Sequence, residues 1–305
     1  MANVQSNNRE QLTMVKETSF GSIAGSPAPT WQGVPFVSNS LSLNKALLDS
    51  AVLSPDRTER WSRHGNYDIS GTISTELCYS NLNMLLLGAL GSSGWSSHVI
   101  TNGTTENSFQ FERAFLGLDT PQYFVYKGCK VTAANFALTT EGVVTANFDI
   151  IGASETISTS SSAGSFTAIG NYKPFTHIGS TFSIGGSPVT HASTLNWAIN
   201  GNAKMLRGIG SASGFAAPDG EFVVSGTSVL FFKDLSEYNI FKNESETTLS
   251  IQLTDGTNTL TFAFGKVKFN SAKIPNSGGS GQIMVTVDWQ ALSSSGVTVT
   301  ITESA

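Results

Sequence analysis

Apolar and polar positions alternate without a break from Gly65 to Leu77. Tyr67, Ile69, Gly71, Ile73, Thr75 and Leu77 fall on one side of an extended chain, and Asn66, Asp68, Ser70, Thr72, Ser74 and Glu76 on the other. A period of two predicts a strand with one buried and one hydrated face. The pattern returns from Gly220 to Phe232, where Phe222, Val224, Gly226, Ser228, Leu230 and Phe232 take the first face. Ser-Gly-Thr stands at 70–72 and again at 225–227, with Gly71 and Gly226 matched where the sheet can bend. One strand written twice predicts a repeated domain.

Two further features recur in the same order. Ser80 to Gly91 predicts a short helix, capped by Ser80 or Asn81 and ended by Gly91; Leu235 to Phe241, with Ser236 as its cap, occupies the equivalent place later. A closing strand, Val143 to Ile151, buries Val144, Ala146, Phe148 and Ile150 and presents Asn147 and Asp149. Its echo, Gly281 to Trp289, buries Ile283, Val285, Val287 and Trp289 and presents Thr286 and Asp288. The first copy is about sixteen residues longer in its middle loops. Between these anchors, Val37–Leu43, Ser108–Phe115 and Tyr123–Val131 predict strands, with Thr181–Val189 and Leu195–Ile199 opening the second copy; Gly128-Cys129-Lys130-Val131 is loosely echoed by Gly265-Lys266-Val267.

The remaining segments set the expected boundaries. Residues 1–20 are polar and aperiodic, an N-terminal arm either disordered or ordered against a neighbour. The Gly- and Pro-rich stretch 21–36 is irregular and extended. Lys45 to Arg63 is a projecting loop or hairpin with mixed charge. Ser154 to Ser165 is low-complexity and polar, the natural linker. The expected layout is therefore an arm (1–20), a first domain (21–155), a linker (156–165) and a second domain (166–305). The fold class is mainly β, with two tandem β-barrel or β-sandwich domains, each flanked by a short α-helix.

Composition narrows the function. Hydrophobic residues are 39% of the 305, enough for a sizeable core, whereas charged residues are only 13%. A surface poor in charge and rich in small hydroxyls suits either contact with other protein or a secreted β-sandwich. The net charge is −5 with no Lys/Arg run, which argues against a grip on nucleic acid. The first residues lack the basic start and apolar core of a signal peptide, and the longest apolar run, near Met84–Leu90, is too short for a membrane span. Synthesis in a cytoplasm without membrane insertion is the expectation.

Candidate chemistry is sparse. Cys78 and Cys129 read as buried reduced thiols. His64, His98, His177 and His191 have no metal-pair spacing, no Gly-x-Ser-x-Gly elbow occurs, and Gly278-Gly279-Ser280-Gly281 lacks the lysine of a phosphate loop. Asp68, Glu76, Asp149 and Asp288 are conceivable as a glycosidase pair, but a hydrated sheet face is the simpler account. No cofactor and no catalytic residue is expected. Two such sheets placed edge to edge in a ring would line a channel with their polar faces and satisfy each other's edges.

Four segments of the first half carry a family resemblance: Val15-Lys16-Glu17-Thr18-Ser19-Phe20-Gly21, Asp56-Arg57, Gly71-Thr72-Ile73-Ser74-Thr75-Glu76-Leu77 and Tyr126-Lys127-Gly128. In this order, over residues 15–155, the chain resembles the tail tube proteins of long-tailed, non-contractile bacteriophages. The resemblance implies a structural protein of the virion tail, made in the host bacterial cytoplasm. It implies self-assembly into stacked rings around a hollow, electronegative lumen through which DNA passes on ejection. A tape-measure protein fills that lumen beforehand, and tail terminator and baseplate proteins meet the tube ends. A duplicated chain would form trimeric, pseudo-hexameric rings. Asp68, Ser70, Thr72, Ser74, Glu76, Asn147, Asp149, Glu221, Thr286 and Asp288 would then face the channel. Asp56, Arg57, Glu59, Arg60 and Arg63 would make contacts between rings, with the 201–219 loop as their counterpart in the second copy. The competing account is a secreted or surface adhesin or carbohydrate-binding module using Trp31, Trp61 or Trp95 as an aromatic platform.

Overall fold

A computed structural model describes residues 4, 6, 9–25, 29–52, 55, 56, 58, 61–170, 172–275 and 281–305. Fourteen principal strands carry the fold. The first seven are β1 (Glu10–Lys16), β2 (Ser42–Asp49), β3 (Ser62–Glu76), β4 (Phe109–Phe115), β5 (Gln122–Thr139), β6 (Thr145–Gly152) and β7 (Ser154–Ser158), with α1 (Asn83–Leu90) after β3. The second seven are β8 (Thr176–Ile184), β9 (Ala192–Asn200), β10 (Val223–Phe231), β11 (Glu246–Thr254), β12 (Thr259–Lys273), β13 (Met284–Ala291) and β14 (Thr300–Ser304), with α2 (Ser236–Lys242) after β10.

The two sets pair in the same order, always antiparallel. In the first, β1-β4-β5-β7 and β2-β3-β6-β5 are ladders that share the long strand β5. In the second, β8-β11-β12-β14 and β9-β10-β13-β12 share β12. Each long strand passes from one ladder to the other through a bulge. Val131 and Ala133 oppose Ile150 and Asp149; Phe269 and Ser271 oppose Trp289 and Asp288. One extra residue bends the strand at that point.

The two sets meet where β5 pairs with β9, from Thr139 opposite Thr194 to Ala133 opposite Asn200. This makes one continuous antiparallel run, β2-β3-β6-β5-β9-β10-β13-β12. Its alternation buries Ile69, Ile73, Phe148, Ile150, Val224 and Trp289 on one face. A single hydrophobic core spans both halves. At its centre Phe136 stacks on Trp197 at 5.2 Å, and Phe262 lies 5.1 Å from Phe136 and 5.2 Å from Trp197. Offset and edge-on ring contacts of this kind add to the area they bury. The backbone crosses between halves as well: Phe175 N–H donates to Leu77 O (2.9 Å), and Val144 N–H donates to Phe175 O (2.8 Å).

Several expectations are corrected. The arm is not wholly detached, because residues 10–16 form β1 between β4 and the short strand Trp31–Gly33, with Leu12, Met14 and Val15 buried. Both faces of β1 are covered, so no alternation marked it. The Ser-rich segment expected as a bare linker contains β7, and Glu112 accepts hydrogen bonds from the backbone N–H groups of Ser162 and Ala163. Gly91 ends α1 in the left-handed conformation as expected. Neither Ser80 nor Asn81 caps that helix, and Ser236 is the first residue of α2 rather than its cap. A carboxylate from the far end of the chain instead anchors the turn that leads into α1: Glu303 accepts from Ser80 N–H (3.2 Å) and from the Asn83 side-chain amide (3.1 Å). Negative charge is favoured at a helix N-terminus. Finally, the extra residues of the first half lie between α1 and β4, where Val99–Thr101 adds a strand to β14.

Candidate assembly surface

The face of the continuous sheet that points away from the core is mainly polar, with Val223, Val229 and Phe231 of β10 among the apolar exceptions. β3 contributes Asp68 and Ser70, both exposed, and half-buried Thr72, Ser74 and Glu76. β6 contributes Asn147 and Asp149, and β13 contributes Thr286 and Asp288. The fold therefore brings nine of the ten channel-face candidates onto one surface; Glu221 lies just before β10, outside the strand. Sequence reasoning missed the strands in between. Asn135 on β5, Asn196 on β9, Thr227 on β10 and Ser271 on β12 complete the face. The parity of Asn135 and Ser271 was hidden by the bulges, which break the period of two.

Two aspartates tie this face together in the same way. Thr72 Oγ1 donates to Asp149 Oδ1 (2.6 Å), and Asn135 Nδ2 donates to Asp149 Oδ2 (3.3 Å). Thr227 Oγ1 donates to Asp288 Oδ1 (2.8 Å), and Ser271 Oγ donates to Asp288 Oδ2 (2.7 Å). The hydroxyls of Ser271 and Thr227 hold the Asp288 carboxyl below the usual carboxylate range, with a smaller contribution from Lys273. A shallow trough of 480 Å³ runs over Asn135, Asn147, Asn196, Thr227 and Asp288. Asp68 is met by Arg207, whose Nη2 lies 3.4 Å from Asp68 Oδ1. Gly71 and Gly226 turn toward the core, not the hydrated face. A Cβ at Gly71 would sit 2.4 Å from Leu41 Cα, and one at Gly226 2.4 Å from the Trp289 ring. Close approach, rather than bending, requires glycine at both places.

Both ends of the eight-strand run are open. Among the described residues, no strand pairs with β2 on the side away from β3, nor with Phe269–Lys273 of β12 on the side away from β13. Unpaired ladders of this kind are templates for another strand. The Lys45–Arg63 segment is a hairpin continuing β2 and β3, with Asp49 opposite Ser62. Arg63 is exposed on it and Asp56 lies near its tip, whereas Arg57, Glu59 and Arg60 fall outside the described residues. The 201–219 loop instead folds back across β5 onto the first half. Tyr67 N–H donates to Ala212 O (2.9 Å), and Arg207 Nη2 donates to Tyr67 O (2.7 Å).

The other candidates fall to structural roles. Cys78 and Cys129 are free and buried, and burial pushes the Cys78 thiol up to about 11. Among the described residues no group of three His, Cys, Asp or Glu side chains is placed to hold a metal ion, and no helix is long and apolar enough to cross a membrane. Trp31 is buried, and Trp95 donates from its indole to Asn83 O (3.2 Å); Trp61 is exposed.

A long sheet with a mainly polar outer face and, among the described residues, an unpaired ladder at each end is the form a strand-pairing assembly requires. The family model described as phage tail tube protein matches residues 7–291, nearly the whole chain and every principal strand except β14. The chain belongs to the phage tail tube protein family, whose members are structural components of the virion tail. A search of curated proteins finds no match.

Proposed function

We propose that this tail tube protein is a tandem duplication of one tube domain, and that three chains close into a pseudo-hexameric ring. Stacked rings would form a hollow tube through which DNA passes on ejection. The observation that carries the proposal is the continuous run β2-β3-β6-β5-β9-β10-β13-β12, in which one four-strand order occurs twice and an open edge remains at either end. A linear sheet of two equivalent units with unsatisfied ends becomes a closed wall when identical chains join head to tail. The matched bulges and the matched Thr–Asp hydrogen bonds support the duplication.

On this reading the hydrated face lines the lumen. Asp68, Glu76, Asp149 and Asp288 then give it a negative character that keeps DNA mobile rather than bound. Inter-ring contacts are assigned on this reading to the β2–β3 hairpin, with Asp56 and Arg63 among the described residues. A tape-measure protein inside the tube, with terminator and baseplate proteins at its ends, completes the set of partners, and synthesis takes place in the host cytoplasm. Electron microscopy of concentrated protein tests the proposal. Hollow rings with three-fold symmetry and six similar lobes are expected; solid fibres, or rings whose chains do not number three, would overturn it.

A further inference from the structure

The ring reading leaves open how one chain joins the next, and the internal junction supplies a detailed pattern. At that junction β9 is paired with β5, and the loop that follows β9 closes over it. Lys130, just before the β5 bulge, is held between Glu106 and Asp219, with its Nζ 2.8 Å from Asp219 Oδ1. Asp219 comes from the 201–219 loop, and under that loop the Lys130 side chain is only 3% exposed.

The far end of the chain repeats the arrangement without its cover. Lys130 opposes Ile151 before the first bulge, and Lys268 opposes Gln290 before the second. The register therefore matches Lys130 with Lys268, rather than with Lys266 as the sequence echo had it. Glu244 is the counterpart of Glu106: it approaches Lys268 at 3.7 Å, but their side chains are 81% and 43% exposed. No third partner is present among the described residues, and the β12 edge beside them is unpaired. At the opposite end, the hairpin that continues β2 and β3 exposes Leu47, Leu48, Val52 and Trp61, the last at 73%. An apolar group of this kind on a two-stranded ribbon marks a contact surface.

We propose that the β2 edge of a second copy pairs with β12 in the register of the internal junction, and that its hairpin closes over Lys268 and Glu244 as the 201–219 loop closes over Lys130 and Glu106. The register follows from the matched positions. The bulges equate Ala133 with Ser271 and Asn135 with Lys273. The pairings of Ser70 with Ser42 and of Ser225 with Ala198 equate Ser42 with Ala198 and Asn44 with Asn200. Ala133 opposes Asn200 and Asn135 opposes Ala198. Between chains, Ser271 then opposes Asn44 and Lys273 opposes Ser42. The hairpin acts within a ring at its base, leaving its tip for the next ring.

This inference rests on the ring reading, and one experiment separates the two. The full chain is made as Asn44→Cys with Ser271→Cys, as Ser42→Cys with Lys273→Cys, and as each single variant; the native thiols are buried. A short bis-maleimide, which forms a thioether with each of two cysteines, is expected to give covalent dimers and trimers from both double variants and monomers from the single ones. Leu43→Cys with Ser271→Cys stays monomeric, because a one-residue slip turns the side chain to the other face. A Trp61→Ser change is expected to lower the cross-linked fraction at least several-fold with the melting temperature of the monomer unchanged. If microscopy shows three-membered rings but cross-links form only in the slipped register or not at all, the inference is overturned and the ring reading stands. If Trp61→Ser shortens tubes while ring cross-linking is unaffected, the role of the hairpin base is overturned. If the unmodified chain forms no ring at any concentration, both fall.

Discussion

Lys130 and Lys268 occupy equivalent points on β5 and β12, each beside a glutamate from the segment that leads into the neighbouring strand and each just before a bulge. One is buried among two carboxylates and the other stands in solvent. Their own strands do not account for the difference. It comes from what lies on top: the 201–219 loop covers the first site, and nothing among the described residues covers the second. The comparison teaches that burial at this position is set by the loop packed over it and not by the strand that carries the lysine.

The largest effect is expected at the covered junction. Trp197→Ala removes the ring that contacts Phe136 and Phe262 and should cost about 3–5 kcal/mol in urea unfolding. Trp61→Ala, at the uncovered end, should stay within about 0.5 kcal/mol for the monomer. Equal losses at the two tryptophans would break the comparison. Next come the paired glycines. Alanine at Gly71 would strike the backbone of Leu41, and alanine at Gly226 the Trp289 ring and Asn196 O. Each should lose about 1–3 kcal/mol, with Gly71 the more sensitive because three backbone atoms must move; a stable Gly71→Ala protein would contradict the packing described.

A smaller contrast separates the lysines. Lys130→Ala leaves Glu106 and Asp219 facing each other under the loop and should cost about 2 kcal/mol. Lys268→Ala breaks an exposed pair and should cost about 0.5 kcal/mol or less in the monomer. Measured on assembled protein, the second value should rise toward the first; an unchanged gap would mean that the site stays uncovered. The smallest effect is one of pH. The Asp288 carboxyl lies below its ordinary range because Ser271 and Thr227 donate to it. Its contribution is thus present at neutral pH, where the group is ionised in both folded and unfolded chains, and is lost as pH falls through the carboxylate range to below its depressed value. Asp288→Asn should flatten that part of the acid limb in a pH series of melting temperatures. A steeper limb would show that the carboxylate is not stabilised there.

The elements that alternate cleanly were legible in advance. β3, β6, β10 and β13 have one wet and one buried face, and their inward residues are those the period of two selects. Elements with other environments were not. β1 is buried on both sides and sits in a polar context, so it looked like an arm. β5 was legible only to Val131, because the bulge at Thr132 shifts the parity of every residue after it. β7 is built from Ser, Glu and Thr at a surface edge, where composition alone reads as linker. The helix start was misplaced because Ser80 is held in the preceding turn by Glu303, from the opposite end of the chain. Of the candidate surface, the carboxylates on β3, β6 and β13 were visible, while Asn135, Asn196 and Ser271 were not, lying on strands whose register only pairing fixes.

The sequence by itself determined the alternating faces of β3, β6, β10 and β13 and the polar side chains on one side of them, because side-chain direction along a strand is a local property of the backbone. The tertiary structure decided which edges are satisfied and which remain open. Whether a ladder has a neighbour depends on segments far away along the chain, such as Asp219 over Lys130 and Thr194 beside Thr139 against the bare flank of Lys273. No local pattern of apolar and polar residues records that.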